Sequence, residues 1–365
     1  MKTNHKLIFG NSNNMKEVIS ESVNLVVTSP PYPMIEMWDE QFSALNPEIK
    51  EAIQNGDGMK AYYLMHDELN KVWKEVDRVL APGNIVCINI GDATRKIGKS
   101  FQLYANHSRI TYFFETMGYQ VLPVIIWRKE TNKPNKFMGS GMLPSNAYVT
   151  LEHEYILIFR KGTNREFDSK NKLGRQNSAY FWEERNIWFS DIWKDLKGVS
   201  QKLNHEDLRE RSAAYPFELA YRLINMYSVQ GDTVLDPFSG TGTTMLAAMC
   251  SARNSIGYEI DPKFQKVVDF RLNEVLLFSK EIVLERIKRH IQFVEKYTKE
   301  KRDLEHRSTR YGFMVMTNQE KNIFFPIMEK IESINETEFE VTYDEIPEMA
   351  YIRAGSKQVQ TNLVY

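Results

Sequence analysis

The chain reads as an α/β protein, a mostly parallel twisted sheet with helices on both faces. Three observations predict it. Strand-length apolar runs alternate with helix-periodic runs along most of the chain. Asn84–Ile90 is apolar without alternation, as expected of a parallel strand buried on both faces. Thr233–Asp236 opens directly into a glycine turn and then a helix.

The elements follow in order. Lys6–Gly10 and Val23–Thr28 read as short strands with a small helix, Met15–Ser20, between them. Residues 34–60 are mixed, carry Gly56 and Gly58, and read as an insertion that closes over something. Ala61–Leu80 has helical spacing in Tyr62, Leu64, Leu69, Val72, Trp73, Val76 and Leu80, and Ala81-Pro82-Gly83 stops it. A helix at Gln102–Met117, a strand at Gln120–Trp127 and a partner strand at Tyr155–Phe159 come next. After an irregular stretch, helix Pro216–Tyr227 leads to strand Thr233–Asp236, helix Thr243–Ser251 and strand Ser255–Ile260. Lys263 to about Glu305 reads as long charged helix, and the tail from Met314 is acidic. That tail is expected to be a solvated accessory subdomain, with a dimer surface as the alternative.

Composition bounds the function. The 365 residues are 42% hydrophobic with a formal net charge of −1, so any nucleic-acid contact needs positive charge gathered on one face. The two cysteines, Cys87 and Cys250, lie far apart in apolar stretches and read as buried reduced thiols. The N-terminus lacks the apolar core of a signal peptide. No apolar run approaches the roughly 18 residues of a membrane span. A cytoplasmic location away from membranes is expected.

Two stretches carry chemistry. In TVLDPFSGTGTT, Thr233–Thr244, a strand ends at Asp236 and Gly240 and Gly242 let the backbone approach a ligand. Glu259, at the next strand end, lies where a carboxylate can bind ribose hydroxyls. A phosphate-binding P-loop would need a lysine before the final Ser/Thr, and none is present. A dinucleotide loop usually has a third glycine where this chain has Met245. The remaining reading is an adenosine-bearing cofactor without pyrophosphate, S-adenosylmethionine. The second stretch is Ser29-Pro30-Pro31-Tyr32 at the end of another strand. Proline lacks an N–H and pushes its predecessor to extended geometry, so carbonyls here stay outside a helix. They can accept from an NH₂ group while Tyr32 stacks on a planar base.

In this order the motifs resemble the β-class DNA amino-methyltransferases: catalytic Thr28–Tyr32 first, a recognition region next, and cofactor loop Asp236–Thr244 last. Gly10-Asn11-Ser12 resembles the family's cofactor-adenine motif, with Asn11 in place of its usual Asp. Arg78–Gly83, Glu152–Gly162 and Tyr215–Asp236 resemble further family segments, over about residues 5–270. The resemblance implies a Rossmann-like methyltransferase fold. It implies residues 1–162 as a catalytic half, 163–212 as a DNA target-recognition region and 213–275 as a cofactor half. Residues 276–365 are left as a C-terminal extension of unknown role. It makes Ser29, Pro30, Pro31 and Tyr32 the catalytic residues. Asn11, Thr28, Asp236, Phe238, Ser239, Gly240, Gly242, Thr243 and Glu259 become the cofactor site, with no metal. Arg160, Lys161, Arg165, Lys170, Lys172 and Arg175, ahead of an aromatic cluster, are the candidate DNA contacts. Trp188 and Trp193 of that cluster are expected in the core.

Ser-Pro-Pro-Tyr members most often methylate cytosine N4. The expectation is a site-specific enzyme acting on a cytosine flipped out of double-stranded DNA, in a restriction–modification system. A cognate endonuclease and a homodimer are possible partners. Adenine N6 methylation is the alternative within the class. A non-catalytic DNA-binding protein with the same fold is the alternative outside it.

Overall fold

The computed structural model describes residues 1–129, 138–168, 171–196, 215–301 and 303–344. Its centre is an eleven-stranded sheet. Nine of its strands are β1 (Lys2–Phe9), β2 (Val23–Thr28), β3 (Leu80–Ile90), β4 (Ile125–Arg128), β5 (His153–Arg160), β6 (Thr233–Asp236), β7 (Asn254–Glu259), β8 (Ile327–Ser333) and β9 (Glu338–Asp344). They run in the order β4-β5-β3-β2-β6-β7-β1-β9-β8, with Ile192–Trp193 outside β4 and Gln120–Val121 paired to β5. The five central strands, β3 to β1, are parallel. Antiparallel strands flank them on both sides.

Helices cover both faces, and the side-chain period of two sorts β2 between two cores. Leu25 and Val27 join one core with α7 (Phe217–Tyr227) and α8 (Thr243–Cys250). Val26 joins the other with Trp73 and Val76 of α3 (Gly58–Val79), Phe114 of α4 (Asn106–Thr116) and Leu235. The α3 stripe is the one its spacing predicts, and the Asp57 carboxylate caps its start by accepting the Lys60 N–H at 2.9 Å. Every residue of α8 is buried: Met245–Cys250 is apolar all round, and the Thr243 and Thr244 hydroxyls are hydrogen-bonded to Arg271 and Asp236.

Four expectations change. Met15–Ser20 is not helical, because α3 takes over its backbone groups. Arg78 donates to the Met15 and Val18 carbonyls at 2.8 and 3.0 Å, and Glu75 accepts the Met15 N–H at 2.7 Å. Residues 93–104 fold as a hairpin, so α4 starts four residues later than the pattern suggests. The stretch 120–127 breaks into two strands around Pro123, which has no ladder donor. Through Asp344, its last described residue, the tail is not a separate solvated unit: β9 pairs with β1 and buries Phe339, Val341 and Tyr343 against the main core. Some of its acidic residues face β1 lysines, Glu340 to Lys2 at 2.5 Å and Glu338 to Lys6 at 2.8 Å.

Three more helices complete the frame: α5 (Lys172–Asn177), α6 (Trp182–Trp188) and the long α9 (Gln265–Glu300). Phe181 shares a third core with Val283 and Ile287 of α9 and Val315, Ile323 and Phe325 of the tail. Arg286 grips Glu184 through two nitrogens at 2.6 and 2.7 Å. Trp188 and Trp193 are core residues. Both cysteines are buried free thiols. Among the described residues, no helix is long and apolar enough to cross a membrane.

Candidate active site

β2 and β6 lie side by side, Val26 beside Leu235, and the chain leaves them toward opposite sides of the sheet. Such a switch point opens a crevice beyond the carboxyl ends of the strands. Asp236 staples the two ends together. Its Oδ1 accepts from the Thr28 hydroxyl at 2.6 Å and the Phe238 N–H at 3.0 Å. Its Oδ2 accepts from the Thr244 hydroxyl at 2.6 Å and the Tyr215 phenol at 3.3 Å. Burial pushes the Asp236 carboxyl above its usual range, and these hydrogen bonds pull the other way.

The loop after β6 turns at Gly240 and Gly242, with φ of +51° and +76° that L side chains adopt reluctantly. Glu259 holds it: one oxygen accepts the Gly240 N–H at 2.7 Å, the other the Asp261 N–H at 2.9 Å. Burial raises the Glu259 carboxyl despite those two bonds. Arg271 of α9 braces the loop from beneath, donating to the Thr241 carbonyl and hydroxyl at 2.8 Å and to the Thr243 hydroxyl at 2.9 Å. Burial lowers its guanidinium to about 10.

After β2, Tyr32 is fixed at its tip. The phenol donates to Glu154 Oε2 at 2.9 Å and accepts from Asn89 Nδ2 at 2.8 Å and from the Ser29 hydroxyl at 3.1 Å. Lys129 binds the other Glu154 oxygen at 2.8 Å. Burial, then the Glu154 charge, pushes the Tyr32 phenol well above its ordinary range. Gly91 makes room for this ring, since a Cβ there would stand 2.9 Å from Tyr32 Cε2.

A cavity of about 400 Å³ opens between the two ends, within the range of small-ligand pockets. Ser29–Tyr32 form one wall and Asp236–Thr241 with Glu259 another. The insertion closes a third. Its helices α1 (Asp39–Leu45) and α2 (Pro47–Gln54) follow a turn that brings Met37 and Trp38 to the cavity, and Phe42 of α1 joins them. Arg95 clamps α1 through Asp39 at 2.6 and 2.7 Å.

A family model for DNA methylases, of the N6/N4 amino-methyltransferase type, matches residues 23–270. The chain belongs to this family. It is 61% identical over 349 residues to the Type II methyltransferase M.MthZI of Methanothermobacter thermautotrophicus, covering 95% of this chain and 97% of that protein. It is 54% identical over 281 residues to the Type II methyltransferase M.MjaI of Methanocaldococcus jannaschii, covering 74% and 91%. Among solved structures, a candidate DNA modification methylase of Thermus thermophilus, complexed with S-adenosyl-L-methionine, matches with a TM-score of 0.58 at 30% identity. That match covers 74% of this chain and 94% of the other. The fold is the Rossmann-like fold of these DNA methyltransferases, the substrate is DNA and the methyl donor is S-adenosylmethionine.

Within this methyltransferase, the expected residues divide. Asn11, Ser29, Pro30, Pro31, Tyr32, Asp236, Phe238, Ser239, Gly240, Thr243 and Glu259 all line the cavity. Thr28 and Gly242 stand behind it: Thr28 is buried against Asp236, and Gly242 caps α8 beneath Val268. The wall leaves a ligand both room and a hydroxyl to meet it. The Ser239 hydroxyl is buried with no partner, and nothing stands within 4 Å of where a Gly240 Cβ would be. Of the six expected DNA contacts, Lys161 and Arg165 are structural ties. Lys161 donates to the Asp77 and Leu80 carbonyls, and Arg165 grips Asp232 at 2.6 and 2.9 Å. Arg160 holds Gln120 and Asn164, while Lys172 and Arg175 are exposed. Lys170 lies outside the described residues. Tyr215, Arg271, Asn89 and Glu154 were missed as site residues, while the insertion, expected to close over something, does line the cavity. Only the insertion carried a local signal, its length and glycines.

Proposed function

We propose that this methyltransferase modifies the N4 amine of a cytosine flipped out of duplex DNA at one recognition sequence. The observation that carries the reading is one cavity walled on one side by Ser29–Tyr32 and on the other by the glycine loop with Glu259. S-adenosylmethionine, when bound, supplies a methyl group made electrophilic by its sulfonium. Glu259 would hold its ribose hydroxyls, Asn11 its adenine, and Ser239, Gly240 and Thr243 its amino-acid end. The Ser29 hydroxyl and the Pro30 carbonyl would accept the two amine hydrogens. Held that way, the nitrogen moves toward tetrahedral geometry and its lone pair, delocalised into the ring in free cytosine, turns toward the methyl. Tyr32 would stack on the extruded base. Serine in place of aspartate at the motif's first position favours cytosine over adenine.

The Type II names of M.MthZI and M.MjaI support a place in a restriction–modification system, with a cognate endonuclease acting on the same sequence. Lys172, Arg175 and Arg160 are the cations we assign to DNA phosphates, within a recognition region that includes α5 and α6. The division into catalytic, recognition and cofactor portions, and a homodimer, belong to the same proposal.

The test is mass spectrometry of nucleosides from DNA incubated with the protein and S-adenosylmethionine. N4-methyldeoxycytidine is the expected product. N6-methyldeoxyadenosine would reverse the base assignment, and no methylated nucleoside would overturn the enzymatic reading.

A further inference from the structure

The hydrogen-bond chain behind Tyr32 has a direction that its chemistry dictates. Glu154 sits at the convergence of three donors: Lys129 Nζ, Asn89 Nδ2 at 2.7 Å and the Tyr32 phenol. Turning the Asn89 amide round would set its carbonyl oxygen against the carboxylate, so its NH₂ faces both Glu154 and Tyr32. An amide NH₂ only donates. The single phenol hydrogen therefore goes to Glu154, and the Ser29 hydroxyl has to donate to Tyr32. That leaves the lone pairs of Ser29 Oγ for a ligand in the cavity that Ser29 lines.

We propose that Glu154 is the terminal acceptor of a proton relay, Ser29 to Tyr32 to Glu154, that takes the surplus proton from the target amine as it is methylated. The inference rests on the methyltransferase reading above and deepens it. Once the new N–C bond forms, the nitrogen carries a positive charge. An N–H bond breaks, its electron pair stays on nitrogen and the proton passes to Ser29 Oγ. The Ser29 O–H proton passes to Tyr32 Oη, and the Tyr32 O–H proton passes to Glu154 Oε2. Each hydroxyl ends with one hydrogen, and the charge lost at nitrogen cancels the charge of the carboxylate. No phenolate persists, in keeping with the burial that disfavours one at Tyr32. Lys129, whose side chain is 48% exposed, marks the side from which the carboxyl can return the proton to water. Gly91 shapes the relay as well, since a Cβ there would also stand 3.4 Å from Glu154 Cγ.

Glu154 acts through Tyr32 and so is a positioning residue with a proton-accepting end. The test is Glu154→Gln, which keeps the shape and an acceptor oxygen for the phenol but cannot take a proton at ordinary pH. S-adenosylmethionine affinity by calorimetry and DNA affinity by filter binding should stay within about twofold, while single-turnover transfer falls by about 100-fold, the scale of general-base catalysis. Tyr32→Phe keeps the ring and cuts the wire, so it should fall similarly. The double variant should fall no further, because the two residues act as one unit. The wild-type rate plotted against the deuterium fraction of the solvent should curve, as several protons move together, and the Gln variant should give a straight line. Glu154→Asp should recover part of the rate. Wild-type transfer by Glu154→Gln would overturn the relay. So would a loss matched by equal losses in cofactor and DNA affinity, which would make Glu154 a packing residue only. Absence of any methylated nucleoside from the wild-type protein is a different failure, that of the enzymatic reading itself.

Discussion

Two strand ends meet in this cavity, and they are built in opposite ways. The end of β2 is stiffened covalently: Pro30 and Pro31 restrict φ and remove two backbone donors. Its fixing bonds come from side chains of neighbouring strands, Asn89 from β3 and Glu154 from β5. The end of β6 is loose in principle, since two glycines allow what other residues resist. It is held by carboxylates and a guanidinium that capture its own backbone: Glu259 the Gly240 N–H, Asp236 the Phe238 N–H, Arg271 the Thr241 carbonyl. An end with two N–H groups removed keeps its carbonyl acceptors, which suits an amine. An end of bare backbone beside a carboxylate suits a ligand bearing hydroxyls and a charged amino-acid tail. Rigidity is common to both, but the chemistry each shows to the cavity differs because proline and glycine reach rigidity by different routes.

The sharpest way to separate the two ends is Ser29→Ala. Losing one acceptor aimed at the amine should cost about 100-fold in single-turnover transfer, with S-adenosylmethionine affinity by calorimetry unchanged within about threefold. The mirror experiment is Gly240→Val. Forcing a β-branched residue to φ +51° costs about 1–3 kcal/mol of backbone strain and fills the open wall. Cofactor affinity should weaken at least about tenfold, while transfer at saturating cofactor recovers most of its rate. Equal effects of both variants on cofactor affinity would erase the comparison.

A smaller effect should appear with pH. Burial raises the Glu259 carboxyl above its ordinary range. As pH falls through that raised value the group takes up a proton and loses acceptor capacity. S-adenosylmethionine affinity should therefore decline with acid, beginning above the usual carboxylate range, and Glu259→Gln should flatten the dependence in calorimetric titrations. The smallest effect belongs to the staple. Thr28→Val removes one hydrogen bond to buried Asp236 and should lower unfolding stability by about 1–2 kcal/mol in urea titrations.

The β6 end was legible in the sequence and the supports of the β2 end were not. Thr233–Asp236 matched its strand bounds because an apolar run, an aspartate and two glycines mark the turn within a few positions. Ser29–Tyr32 could be singled out for the same local reason. Glu154 could not be tied to Tyr32, because the two lie 122 positions apart and meet only when β5 pairs antiparallel with β3. Met15–Ser20 looked helical because nothing nearby shows that Arg78 will claim its carbonyls. The tail did carry a signal. In Glu338–Asp344, EFEVTYD, buried and half-exposed residues alternate as in a strand with one covered face. What no local pattern shows is its partner, the first strand of the chain. Lys161 and Arg165 illustrate a related limit. A basic run shows charge but not whether Asp77 or Asp232 waits for it in the fold.

The most direct test of two ends sharing one reaction is a crystal structure with S-adenosylmethionine and a duplex carrying the target site. The ribose should lie on Glu259, the methyl should point at the nitrogen of an extruded base, and that nitrogen should sit within hydrogen-bond reach of Ser29 Oγ and the Pro30 carbonyl. A cofactor bound elsewhere, or a methyl directed away from the Ser29–Tyr32 wall, would contradict the account.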